Sequence, residues 1–226
     1  MAINRTNIER ALAHLQEADP IIARVVRDVG PFTLRPHRDR FGLLVRSILS
    51  QQISTAAARS IRRRLEELVA PRPFSADVLA ALSSEELRSA GLSAQKAAYL
   101  HDLCAHVRDG RVNLAHIGRR DDETVISDLV RIKGIGRWTA QMFLIFGLGR
   151  LDVFPHDDLG VRSAIRNLYG LAELPDRGTS ERIAEPWRPF ASVASWYCWR
   201  SEDRRRASGN GAADQAHAPN PKAYPV

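Results

Sequence analysis

The sequence predicts an all-α fold, on three observations. Apolar residues recur at helical spacing, most plainly Phe41, Leu44, Val45, Ile48 and Leu49, which form one core-facing stripe. Side chains able to cap a helix N-terminus stand ahead of apolar runs at Asp19, Ser54, Ser75, Ser83 and Ser93. No stretch alternates at period two for long enough to build a sheet, and only 32–34 and 111–114 read as briefly extended.

Taken in order, Asp19 before Pro20 is an N-cap with proline in the first turn, opening a helix through about Asp28. The stripe from Phe41 makes the next helix. Ser54 caps another through about Val69, where Pro71 and Pro73 interrupt. Ser75 caps a short helix holding Val78 and Leu79, and Ser83 with Glu86 has the spacing of a capping box. Gly91 ends that helix, and Ser93 opens one whose apolar face is Tyr99, Leu100, Leu103 and Val107. An apolar helix then ends at Ile132, another begins at about Arg137, and a later one carries Val161, Ile165 and Leu168. Beyond Trp199 the residues are small, polar and helix-breaking, so 1–203 are expected to form the folded domain and 204–226 a disordered tail.

Composition sets the class. With 226 residues and 44% apolar content the chain has ample material for a core. A formal charge of +7 favours a polyanionic partner. Cys104 and Cys198 are the only cysteines, too few for a four-cysteine iron–sulfur or structural zinc site, and read as buried thiols in a reducing cytosol. No eighteen apolar residues run together and no apolar leader follows the first positive charge, so neither a membrane span nor secretion is expected.

The most telling segment is LVRIKGIGRWTA, 129–140, where two glycines bracket Ile135 between two helices. Glycine permits a sharp turn and close approach of backbone to another molecule. The amides of Gly134, Gly136 and the next helix's first turn then face outward, an anion site flanked by Lys133 and Arg137. Nucleic-acid phosphate is the natural occupant; a plain αα-hairpin capped by its glycines is the alternative. The segment ELRSAGLSAQKAAYLHDL is a weaker echo, in which Lys96 reads as a solvated helix lysine, an approach to DNA being the alternative. Downstream, DVFPHDDLGVR supplies three carboxylates, Asp152, Asp157 and Asp158.

The hairpin, its basic flanks and the downstream aspartates resemble the helix-hairpin-helix (HhH-GPD) DNA glycosylase superfamily, from about Phe32 to Trp199. The run WRPFASVASWYCWR resembles the 3-methyladenine DNA glycosylase II branch, here in a compact form, since too few residues precede Phe32 to supply the mixed α/β domain of longer members. The resemblance implies two helical subdomains, the N-terminal segment packing with the C-terminal helices, and a DNA-binding cleft between them. It makes Asp158 the catalytic residue and also an N-cap, with Asp157 the alternative. Hydrolysis of an N-glycosidic bond builds positive charge on the deoxyribose, which an ionised carboxylate stabilises while it orients water.

Bifunctional members carry a lysine nucleophile after the hairpin, where this chain has Trp138, so a monofunctional enzyme leaving an abasic site is implied. Trp138, Trp196 and Tyr197 are implied as base-pocket aromatics able to attract a cationic base, with packing in the core the alternative for each, whereas Trp187, Phe190 and Trp199 read as core. Lys133, Gly134, Ile135, Gly136, Arg137 and Thr139 form the DNA-binding hairpin. Base flipping leaves a gap, which Gln52 is implied to fill with Gln51 as its neighbour; a polar helix end is the alternative. The backbone carbonyls of Ile132 and Ile135 are implied to hold a monovalent cation, sodium or potassium, and no other cofactor is required. His156 reads as an exposed loop histidine, with tuning of Asp158 or a phosphate contact the alternative.

The expected function is hydrolytic excision of alkylated purines from duplex DNA in base excision repair, by a cytoplasmic monomer with no obligate protein partner. The rivals are a glycosylase for uracil, hypoxanthine or etheno adducts, a non-catalytic DNA-damage-binding module, and a protein-binding helical scaffold.

Overall fold

The computed structural model describes residues 2–208. Among them the regular structure is helical, apart from one isolated antiparallel bridge between Ala2 and Arg150. The described chain divides into two units, one holding everything up to Pro36 and from Leu148 onward, the other His37–Gly147.

The first unit opens with α1 (Arg5–Ala18), which the sequence reading did not foresee, capped by Asn4 through the Asn7 amide. Next comes α2 (Pro20–Val29). Asp19 caps it as expected, Oδ1 accepting from the Ile21 and Ile22 amides. Its Oδ2 accepts from Trp187 Nε1 at 2.8 Å and from the Tyr169 hydroxyl, so one buried carboxylate ties α2 to two later segments of the same unit.

The second unit is built from α3 (Arg40–Ser50), α4 (Thr55–Val69), α5 (Ala76–Ala80), α6 (Ser84–Ser89), α7 (Ala94–Arg108), α8 (Asp122–Val130) and α9 (Arg137–Met142), the last running on into a π-helical turn, Phe143–Gly147. Ser54, Ser75 and Ser93 each cap the helix the sequence assigned them, and Ser83 with Glu86 makes the full capping box. The α3 stripe is buried at Leu44, Val45, Ile48 and Leu49, with Leu100, Leu103 and Cys104 buried on α7. Residues 111–114 form no strand; Val112 N closes onto the His106 carbonyl, and Arg40 donates to the Leu114 carbonyl.

The chain then returns to the first unit with α10 (Leu159–Tyr169), α11 (Arg177–Ala184) and α12 (Ala191–Ala207). Here the expected boundary at 204 is corrected, because α12 carries Arg204, Arg205 and Arg206 in its last turn. Arg205 pairs at 2.9 Å with Glu202, itself buried and bonded to Asn167 of α10, and cations near a helix C-terminus are favourable. The rest of the expected tail, 209–226, lies outside the described residues. Both cysteines are buried free thiols, and burial pushes Cys104 up to about 12 and Cys198 upward as well. No helix among the described residues is long and apolar enough to cross a membrane.

Candidate functional site

In the second unit the hairpin is held from below by its apolar residues. Ile132 and Ile135 are buried, and the Ile135 amide donates to the Ile132 carbonyl at 3.0 Å. Gly134 has φ +83°, and a Cβ there would lie 2.2 Å from Tyr99 Cδ2, so this position requires glycine on two counts. Gly136 is different: a Cβ there would meet nothing within 4 Å. Its place is the N-cap of α9, where no side chain caps the first amides. The Lys133 amide donates to Asp102 Oδ2 at 2.8 Å while its side chain is exposed, and Arg137, also exposed, pairs with Glu123. Thr139 is buried, so of the six hairpin positions it faces inward with Ile135.

The loop after α3 sits beside this hairpin in the same unit. Gln51 Nε2 donates to the Gly134 carbonyl at 2.7 Å. Gln52, exposed, has φ 55°, the one positive φ outside glycine among the described residues. A side chain in that region costs energy and marks a backbone shaped for something other than its own stability. Lys96 is no solvated lysine: Nζ donates at 2.6 Å to the Leu49 carbonyl, in the last turn of α3, and its partial burial holds its pKa below the ordinary lysine value. The half-buried Trp138 lies in the first turn of α9.

The first unit carries the carboxylates. Asp158 caps α10 through Oδ1, which accepts from the Val161 amide at 2.8 Å and from Trp199 Nε1 at 2.9 Å. It is 2% exposed, yet it begins a helix, whose N-terminal dipole favours a negative group. Gly160 makes this approach feasible, since a Cβ there would already lie 3.0 Å from Trp199 Cδ1 and 3.1 Å from Asp158 Oδ1. The other two aspartates are occupied differently. Asp152 pairs with Arg188 at 2.9 Å and accepts from the Ala191 amide, and Asp157 is an exposed side chain 3.2 Å from His156 Nε2. His156 corrects the sequence expectation, being buried at 5% exposure between Asp157 and the more distant Glu181.

Trp196 and Tyr197, consecutive on α12, are both buried. The Tyr197 hydroxyl donates to the Gly30 carbonyl at 2.9 Å, which occupies its polar end structurally. Trp196 meets Tyr197 edge-on and tilts against Phe32, ring centroids 4.8 Å apart in both cases, and the Arg200 guanidinium carbon stands 5.6 Å from its ring centroid. Two contacts escaped the sequence reading. Trp199 is in the core as expected, but its bond to Asp158 is not announced by the sequence, although a buried indole N–H needs an acceptor. Arg200, four residues after Trp196 on the same helix, carried the i, i+4 signal.

Comparison with known proteins gives a consistent result. Residues 45–189 match the family model described as HhH-GPD superfamily base excision DNA repair protein. DNA-3-methyladenine glycosylase 1 of Schizosaccharomyces pombe is 32% identical over 203 residues, covering 87% of this chain and 88% of that protein. The solved structure of a 3-methyladenine DNA glycosylase from the same yeast, in complex with abasic DNA, superposes with a TM-score of 0.73 at 31% identity, covering 86% of this chain and 97% of that one. A DNA-3-methyladenine glycosidase from Bacillus halodurans superposes with a TM-score of 0.77 at 34% identity, over 89% and 91%.

Proposed function

We propose, from the premise that this chain belongs to the HhH-GPD superfamily of base excision DNA repair proteins, that it is a monofunctional DNA glycosylase hydrolysing the N-glycosidic bond of alkylated purines in duplex DNA. The observation that carries this reading is Asp158, a buried carboxylate fixed by two N–H donors at the start of a helix. As the base leaves, the deoxyribose ring becomes cationic, and a carboxylate already oriented stabilises that charge without reorganising. Asp158 also orients the attacking water. The product is an abasic site. No Schiff base is expected: Lys96 is bonded to the Leu49 carbonyl, and Lys133 lies on the hairpin.

Gly134, Gly136 and the first amides of α9, with Lys133 and Arg137, bind backbone phosphate in this reading, and buried Ile135 and Thr139 support them from within. Gln52, in its strained conformation, enters the gap left by the flipped base, and Gln51 fixes the loop. Within the first unit Trp196 supplies aromatic surface for the base, and Tyr197 fixes Trp196. A monovalent cation would be held by the Ile132 and Ile135 carbonyls and would neutralise a phosphate; the Ile132 carbonyl accepts the Ile135 amide and retains a second lone pair for such a role. The region through the end of α12 is read as the catalytic domain, acting as a monomer in a reducing cytosol, where two buried thiols stay reduced.

The test is single-turnover release of bases from randomly methylated duplex DNA, with strand cleavage followed separately. Release of methylated purines without strand cleavage is expected; DNA binding with no release of any damaged base overturns the proposal in favour of a non-catalytic module.

A further inference from the structure

Resting on the glycosylase reading above, we infer that His156 is a positioning residue for Asp158: its imidazolium holds the loop that delivers the carboxylate, and base release slows when the ring loses its second proton. That loop, within the first unit, is pinned at both ends. Upstream, the Ser192 hydroxyl of α12 accepts from the Val153 amide at 2.9 Å and donates to the Val153 carbonyl at 3.2 Å. Downstream, Asp158 accepts from the Val161 amide and from Trp199 Nε1. Between these points the turn closes on itself, the His156 amide donating to the Phe154 carbonyl at 3.0 Å and the Asp158 amide to the Pro155 carbonyl at 2.9 Å. Phe154 packs edge-on to Trp187, ring centroids 5.8 Å apart, and the buried His156 reaches α11.

Both ring nitrogens face a carboxylate: Nε2 stands 3.2 Å from Asp157 Oδ2, and Nδ1 stands 3.9 Å from Glu181 Oε1. A neutral imidazole has one N–H and serves one of these acids, whereas the imidazolium has two and serves both. A buried charge persists where it is paired, and the two acids supply that pairing. Arg177 continues the chain along α11, donating to Glu181 Oε1 at 2.8 Å. That bond is the main cause holding the Glu181 carboxyl below its ordinary value, and the charges of Arg177, His156 and Arg188 add to it. Arg188 in turn pairs with Asp152 at 2.9 Å and approaches Glu185 at 3.7 Å. A cavity of about 190 Å³, lined by Phe154, Glu181, Ala184, Glu185 and Arg188, brings solvent to Glu181. Asp157 and Glu181 therefore draw a proton onto the ring, while Arg177 and Arg188, one step further out, oppose it. When pH rises and that proton leaves, the ring keeps one partner of two, and the loop gains freedom immediately ahead of Asp158. A carboxylate that works by being oriented in advance then stabilises the deoxyribose cation less well.

The experiment compares the native protein with His156→Gln and Glu181→Gln. Single-turnover release of methylated purines from duplex DNA is measured across a pH series with enzyme in saturating excess, uncatalysed release is subtracted, and DNA affinity is read by fluorescence anisotropy at each pH. Native release should fall on the order of tenfold along the alkaline limb, the worth of one charge-assisted hydrogen bond. His156→Gln should start slower by about the same factor and stay level, meeting the native rate at high pH. Glu181→Gln keeps the buried ring and removes the charge facing Nδ1, so its alkaline decline should move to lower pH. DNA affinity should be alike in all three, because His156 and Glu181 act on the loop of Asp158 and not on the hairpin. A level native profile, a His156→Gln profile that keeps the native decline, or a decline unmoved in Glu181→Gln overturns the role of His156 and leaves the glycosylase reading intact. If His156→Gln does not fold, the position of the Glu181→Gln decline decides alone. Absence of release by the native protein at every pH removes the glycosylase reading and this inference together.

Discussion

Asp158 offers a substitution that separates chemistry from folding. Asn at this position keeps Oδ1, so it still accepts from the Val161 amide and from Trp199 Nε1, but it carries no charge. Ala keeps neither. Loss of the cap costs about 1 kcal/mol, and the buried indole N–H of Trp199, stranded by Ala, adds roughly 1–3 kcal/mol. Asp158→Ala should therefore lose roughly 2–4 kcal/mol of stability, and at about 2–4 °C per kcal/mol its melting temperature should fall by roughly 5–15 °C. Asp158→Asn should lose under about 1 kcal/mol, since its two hydrogen bonds survive with a neutral acceptor. Base release should fall by about a hundred- to thousandfold in both variants, the usual worth of one preorganised charge-stabilising group. Thermal melting and single-turnover release on the same preparations read the two effects. Native-rate release by Asp158→Asn would refute the electrostatic role, and equal destabilisation by Asn and Ala would refute the hydrogen-bond assignment.

Four other outcomes follow from the same geometry. Trp199→Phe keeps the ring and deletes the donor to Asp158, so base release should drop about tenfold for about 1 kcal/mol of stability; an unaltered rate would leave Trp199 a packing residue only. Gly134→Ala must pay for a left-handed φ and displace Tyr99, roughly 2–4 kcal/mol together, whereas Gly136→Ala meets nothing and should cost under about 1 kcal/mol, the N-cap preference for glycine over alanine. Any loss of DNA affinity in Gly136→Ala then reports the approach of phosphate, measurable by fluorescence anisotropy across a salt series. Gln52→Gly should relieve the strained φ, raising stability by up to about 1 kcal/mol, while slowing base release; faster release would contradict the wedge assignment. Cys104 and Cys198, buried and with raised thiol pKa values, should react with a thiol reagent only after denaturant is added.

What the sequence could and could not disclose divides along one physical line. Capping is local, so Asp19, Ser54, Ser75, Ser83, Ser93 and Asp158 are legible from residues within three positions of each cap, as Asn4, Asp39, Asp121 and Asp176 are in principle though the sequence reading passed them over. The second partner of a polar group is not local. Asp19 reads as a cap, but nothing nearby announces that Oδ2 serves Tyr169 and Trp187. His156 looked exposed because its segment is polar and rich in proline and aspartate; its burial comes from tertiary packing that overrides composition. The end of α12 was missed for a related reason. Arg204–Arg206 resemble the start of a solvated tail until Glu202, fixed by Asn167 from α10, gives Arg205 a partner inside the helix.

The strain at Gln52 has a structural counterpart. A non-glycine residue in the left-handed region persists only where its surroundings over-determine it. Two bonds just before it do so within the second unit: Lys96 holds the Leu49 carbonyl three residues back, and Gln51, the preceding residue, is bonded to the Gly134 carbonyl. Both bonds reach outside the loop, one to α7 and the other to the hairpin. Since the Gly134 carbonyl is fixed by Gln51 and its Cα is fitted against Tyr99 of α7, loop, hairpin and α7 form one mechanically continuous piece. In the proposed DNA-binding reading, a phosphate gripped at the hairpin would set the position of Gln52 with little freedom left to lose, the condition for inserting a polar side chain into a base stack at low entropic cost.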